Sequence, residues 1–361
     1  MRALSLLLLI ACTDRKSDTA PGDTVAPPSD SGPGDSVAGD DTGRPPPPPY
    51  PWSDSSFWTD PGPLEPLFGT LPDTSDTTMK FLLRHATSPD LTTWTAAENP
   101  IMDGLNSLDI MLTQDGIILT GLVQPGRGAT IGYGAVYGVQ TSDLVTWGSH
   151  EWSVNNLDGY NNLVDPSLHL RLDGAAGLAY YRTNFDDTGD PAWTEGPHNI
   201  YRAVWSGSSW ENAELAYAEE YLADPVICKL KDVEYLFVTH EAKEVRVAKG
   251  NGDGTFTALM DATWADRTVP FCRTEDDGSS IMLLSQGLGP NTDVRTARFD
   301  GTTTEELGLL YEDDLFPEGG CSAPVVTHFL DQWVLFCAID WQGYLRGLGL
   351  IEDTGAIPGG G

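Results

Sequence analysis

Three aspartates stand where they could do chemistry. Asp109 lies in the run Leu108-Asp109-Ile110-Met111-Leu112, Asp165 in Val164-Asp165-Pro166-Ser167-Leu168, and Asp224 in Ala223-Asp224-Pro225-Val226-Ile227. Each sits at the opening of a short apolar run, and a carboxylate there has two uses. It can close a local turn by accepting backbone N–H groups. It can also meet its counterparts at one site, where one carboxyl keeps a proton and another accepts one. Keeping a proton near neutral pH requires burial or a neighbouring negative charge. Both uses are open for all three residues.

Other reactive side chains lack the required spacing. His169, His240 and His328 fall in or beside apolar runs with no metal-ligand pattern, which suits packing or surface roles. Cys228, Cys272, Cys321 and Cys337 show no CxxC or Cys/His spacing, so zinc is not expected. In an exported chain they should form at least one disulfide, with three connectivities open. Asn251-Gly252-Asp253-Gly254 lacks the later ligands of a calcium loop and reads as a hairpin turn. Gly126-Arg127-Gly128 precedes no helix that would cradle phosphate, and no nucleophile elbow occurs. The formal charge of −33 excludes nucleic acid as a partner, because phosphate would be repelled. That charge serves solubility; calcium held by Asp-rich loops is the alternative, and no other cofactor is implied.

The elements that must position the aspartates recur along the chain. Each of five units pairs an opening strand with an acidic or glycine turn and then a very apolar strand. The second strands are Ile117-Ile118-Leu119, Leu178-Ala179-Tyr180-Tyr181, Tyr235-Leu236-Phe237-Val238, Ile281-Met282-Leu283-Leu284 and Trp333-Val334-Leu335-Phe336. The fourth and fifth opening strands are Val269-Pro270-Phe271-Cys272 and Ala323-Pro324-Val325-Val326. A repeat of roughly 45–60 residues suits one four-stranded blade, which predicts an all-β, five-bladed β-propeller over residues 61–353 with a flexible tail at 354–361. The first strand of each unit should line the channel, with the second sandwiched between blades. Thr87-Ser88-Pro89-Asp90-Leu91-Thr92-Thr93-Trp94 and Thr141-Ser142-Asp143-Leu144-Val145-Thr146-Trp147 should close turns through their Ser, Thr and Asp side chains and plug the blades with Leu and Trp. Residues 80–86 should complete the last blade beside residues 345–351, leaving no free edge.

The N-terminus carries an address. Arg2 precedes an apolar run from Ala3 to Ala11, too short to span a bilayer, and the run ends in Leu9-Ile10-Ala11-Cys12. This resembles the lipobox of bacterial lipoproteins, which implies a signal peptide over 1–11 and lipidation of Cys12. Residues 12–60 are rich in Asp, Ser, Thr, Gly and Pro, including the run from Pro45 to Pro49. Such a segment is expected to stay disordered and partly polyproline-like, a tether for the domain. The expected location is the cell envelope, with the lipid on Cys12 as anchor and the domain outside the cytoplasm; Thr13 rather than Asp after Cys12 favours the outer membrane in a Gram-negative cell.

Over residues 79–351 the Asp-Pro openings, the Asp-Gly hairpins and the two Ser-Asp-Leu-x-x-Trp-like segments resemble the five-bladed propellers of glycoside hydrolase family 43 and its relatives. The resemblance implies a general base at Asp109 and an acid-tuning, substrate-orienting aspartate at Asp165. An inverting pair needs its carboxyls roughly 6.5–9.5 Å apart. The family's general-acid Glu would fall at Ala223, where Asp224 is the nearest substitute. Two functions follow. One is a monomeric, envelope-bound hydrolase of extracellular polysaccharide acting through Asp109, Asp165 and Asp224. The other is a non-catalytic propeller binding carbohydrate or protein.

Overall fold

A computed structural model of the chain describes residues 81–113, 116–123, 136–155, 162–183, 199–219, 221–241, 243–287, 293–311, 315–316 and 321–340. Cys12, the 12–60 tether, residues 345–351 and the 354–361 tail lie outside them. Among the described residues every regular element is a strand. The chain starts with β1 (Phe81–Ser88), β2 (Thr95–Ala96) and β3 (Met102–Asp103). Four antiparallel meanders follow. The first blade is β4 (Leu105–Thr113), β5 (Gly116–Val123), β6 (Val136–Thr141) and β7 (Gly148–Trp152). The second is β8 (Asn162–Leu170), β9 (Ala176–Thr183), β10 (Ile200–Trp205) and β11 (Trp210–Tyr217). The third is β12 (Leu222–Leu230), β13 (Val233–His240), β14 (Glu244–Gly250) and β15 (Phe256–Ala265). The fourth is β16 (Arg267–Thr274), β17 (Ile281–Gly287), β18 (Val294–Phe299) and β19 (Thr304–Tyr311).

The fifth blade is shared by the two ends of the described chain. β20 (Cys321–Phe329) and β21 (Gln332–Asp340) are its inner strands, and β1 adds to β21 from Phe81 opposite Asp340 to Ser88 opposite Trp333. The other edge of β1 carries β2 and β3. Both edges of β1 are therefore filled. The expected pairing with residues 345–351 gives way to β21, whose run from Val334 to Ile339 is fully buried.

The inner strands β4, β8, β12, β16 and β20 each pack against the next, and β20 returns to β4, which closes a five-bladed ring. This is a β-propeller. The near-continuous apolar second strands explain the packing: Ile117, Leu119, Leu236, Phe237 and Leu335 are wholly buried because a blade faces them on both sides. The Asp segments do the turn work that their composition predicts. Asp90 Oδ1 accepts the N–H groups of Thr92 and Thr93 at 2.9 and 3.0 Å, and Asp143 Oδ1 accepts those of Val145 and Thr146 at 2.8 and 2.7 Å. Trp147 is buried in the core, and Trp94 donates its Nε1–H across to Leu310 O of the fourth blade at 3.2 Å. Asp253 likewise accepts the Thr255 N–H at 2.9 Å, so residues 251–254 form the expected turn.

Blades are also tied covalently and by charge. Cys228–Cys272 joins β12 to β16 across the third and fourth blades, and Cys321–Cys337 joins β20 to β21. With 44 and 16 residues between partners, loop-closure entropy gives about 4 and about 3 kcal/mol. Between the second and third blades, buried Arg202 on β10 forks onto Glu234 on β13 at 3.0 and 2.9 Å. Its second terminal nitrogen also meets His169 Nε2 at 3.0 Å, so the imidazole accepts there and is structural. Burial and the Arg202 charge keep that histidine neutral, well below its ordinary pKa.

Candidate functional site

All five inner strands contain the same irregularity. Register slips between Asn106 and Asp109, Val164 and Ser167, Ala223 and Val226, Thr268 and Phe271, and Ser322 and Val325. At each slip one non-glycine residue has left-handed backbone: Ser107, Asp165, Asp224, Val269 and Ala323, with φ between 47° and 52°. These are β-bulges, and they turn five side chains to one end of the channel. A bulge also removes an N–H from its ladder, and that group needs another acceptor. The neighbouring blade provides it. Asp165 Oδ2 accepts from Asp224 N at 3.2 Å, Thr239 Oγ1 from Val269 N at 2.8 Å, and Gln286 Oε1 from Ala323 N at 3.3 Å.

This frame corrects the phase of the first aspartate. The residue equivalent to Asp165 and Asp224 is Ser107, and Asp109 falls two positions later, equivalent to Ser167. Leu108 in place of proline hides the bulge from a reading based on Asp-Pro pairs. A different signal finds it: Ser107, Asp165, Asp224, Val269 and Ala323 each lie eight residues before Asp115, Asp173, Asp232, Asp277 and Asp331 of the hairpin turns.

The first two inner strands exchange roles across their seam. Ser107 donates its hydroxyl to Asp165 Oδ1 at 2.6 Å, and Ser167 donates its own to Asp109 Oδ2 at 2.7 Å. Asp109 is buried, and both its oxygens are engaged. Oδ1 accepts the Ile110 N–H and Oδ2 the Leu168 N–H, each at 2.7 Å. Burial outweighs these bonds and pushes its pKa up to about 7. Asp109 thus works as a strut between β4 and β8.

Asp165 and Asp224 are half-buried neighbours on β8 and β12. Asp165 Oδ2 accepts the Asp224 N–H, and both residues line one opening. Burial first, then the Asp165 charge, raises the Asp224 pKa well above the carboxylate range, against weaker opposition from the Thr239 hydroxyl and the Val269 N–H. Asp224 thus holds a proton beside Asp165. Beneath them lies Tyr181, buried on β9, whose phenol is pushed up by burial and by both aspartate charges. The opening is lined by Ser107, Asp109, Asp165, Ser167, Asp224 and Val269, with the prolines that follow Asp165, Asp224 and Val269. It is therefore acidic over the second and third blades, while the fourth contributes Val269 and Ala323 of the fifth is buried in the core. Among the described residues no three His, Cys, Asp or Glu side chains gather to hold a metal ion.

No protein-family model matches the sequence, and no curated protein is significantly similar to it. Solved structures do resemble it. An α-L-arabinofuranosidase from Lactobacillus brevis aligns over 65% of this chain and 83% of its own, at 10% identity and a TM-score of 0.47. An endo-arabinase from Bacteroides thetaiotaomicron aligns over 65% and 92%, at 12% identity and a TM-score of 0.44. An exo-β-1,3-galactanase from Clostridium thermocellum aligns over 65% and 59%, at 10% identity and a TM-score of 0.48.

Proposed function

We propose that this protein is an exported, lipid-anchored propeller that binds carbohydrate at its channel mouth without cleaving it. The observation that carries the reading is that the mouth carboxylates are spent on the frame: Asp165 accepts the Ser107 hydroxyl at 2.6 Å and the Asp224 N–H at 3.2 Å, one on each oxygen. Glycosidic cleavage needs two carboxyls about 5–5.5 Å apart for retention, or roughly 6.5–9.5 Å for inversion. Here Asp165 spends its oxygens on Ser107 and Asp224 N, and Asp109 spends both of its own on β4 and β8. What the mouth offers is one carboxyl donor, several acceptors and an apolar side formed by Val269 and the neighbouring prolines. A sugar presents the matching combination of hydroxyl rim and C–H face. The sequence resemblance to family 43 supports carbohydrate as the ligand class, and Leu9-Ile10-Ala11-Cys12 with the tether supports the anchor.

The test is a glycan array with parallel measurement of released reducing ends. Wild type is expected to retain at least one glycan and release none, and the Asp165→Asn/Asp224→Asn double variant to lose about tenfold or more in affinity, as for one to two charged hydrogen bonds. Turnover of the bound glycan would overturn the non-catalytic reading. It would favour hydrolysis instead, for which the raised pKa of Asp109 is the supporting feature, since a general acid must hold its proton near neutral pH.

A further inference from the structure

The described residues leave few large apolar side chains in water. Leu112, Leu170, Leu172 and Leu330 sit at the far ends of the inner strands or in the turns beyond, on the face opposite the mouth. Among the described residues Tyr221 is the one aromatic with a largely exposed side chain, 53% accessible, and it lies at the entrance of β12, the end of the strand that carries Asp224. It precedes Asp224 by three residues where the chain enters β12.

Its position is held rather than loose. Tyr221 has left-handed backbone at φ 60°, which bulky side chains rarely adopt, and its carbonyl accepts the Glu241 N–H at 3.0 Å. The flanking rim is braced by charge. Arg246 donates its Nε–H to Glu244 at 2.6 Å and also pairs with Glu219, which in turn accepts the Tyr217 hydroxyl at 2.7 Å. The backbone is fixed there, and about half of the residue faces water beside the strand that carries Asp224. A planar aromatic surface there can pack against the C–H face of a sugar while the sugar's hydroxyls stay hydrated or reach polar groups.

We propose that Tyr221 is a stacking platform for the sugar unit adjoining the one seated over Asp165 and Asp224, so that the site selects oligosaccharides over free monosaccharides. This rests on the carbohydrate reading above. The experiment titrates full-length protein with arabino-, xylo-, galacto- and gluco-oligosaccharides of one to six units. Wild-type affinity should rise from one unit to three. Tyr221→Ala should lose about tenfold on three units and longer, the size of one good aromatic contact, and nothing on the monosaccharide. Tyr221→Phe and Tyr221→Trp should retain the wild-type length dependence. Binding by wild type with no length dependence, or an unaltered Tyr221→Ala variant, overturns the platform and leaves the carbohydrate reading standing. Loss in Tyr221→Phe equal to that in Tyr221→Ala overturns stacking in favour of a hydroxyl contact. No binding of any member by wild type overturns both proposals.

Discussion

Replacing Asp109 by Asn separates a structural carboxyl from a reactive one. In the folded chain its pKa is pushed up to about 7, against 3.8 without burial. The folded state therefore holds the proton more tightly, and it loses stability as pH rises from near 4 to near 7. A gap of roughly three pH units corresponds to about 4 kcal/mol lost over that window. Asn does not ionise, so the variant lacks this loss. It has its own cost, because Ile110 N and Leu168 N each need an acceptor and the amide offers one oxygen. One unmet N–H costs about 1–2 kcal/mol. Asp109→Asn should then be less stable than wild type by about 1–2 kcal/mol at pH 4, more stable by about 2–3 kcal/mol at pH 8, with the curves crossing near roughly pH 5. Urea unfolding of both proteins across pH 4–8, with disulfides intact, measures the difference directly. A difference that is constant with pH, or a wild type that gains on the variant as pH rises, would refute the assignment of Asp109 as a buried, mostly protonated strut.

Two further outcomes follow from other parts of the molecule. Glu234→Ala should destabilise the propeller by about 3–5 kcal/mol, read as a lowered urea midpoint, because it strands the buried Arg202 guanidinium; Arg202→Met/Glu234→Leu should recover most of the loss. Metabolic labelling with an alkyne fatty acid should mark wild type but not Cys12→Ala, and equal labelling of both would remove the lipoprotein reading.

The fold was legible because each blade repeats a physical requirement. An opening strand, a short turn and an apolar strand buried on both faces leave the same trace whether the second strand is Ile117-Ile118-Leu119 or Leu335-Phe336. The two Asp-Leu-x-x-Trp segments were legible for a similar reason, since only a short acceptor can close that turn. The site was harder. Asp165 and Asp224 announce their bulges through the prolines that follow, but Ser107 is followed by Leu108, and so Asp109 took its place in the reading. Whether a carboxylate faces an opening or a neighbouring strand depends on backbone that turns left-handed at one residue, and nothing in local composition distinguishes Asp109 from Asp165 in that respect. The contact between Asp165 and Asp224 was equally out of reach, because it joins residues of different blades. Tyr221 left no trace among the repeats, being a single side chain at a strand entrance.

The seam between β1 and β21 has a consequence for how the molecule comes into being. Phe81 must find Asp340, so the first of the described strands waits for nearly all the described chain before one of its edges is satisfied. Until then a nascent molecule carries an apolar ribbon with unmet backbone groups, ready to recruit a strand from another molecule. Contacts this remote in sequence form slowly. Synthesis halted anywhere before Gln332 would leave an incomplete ring that can finish only by borrowing from a neighbour.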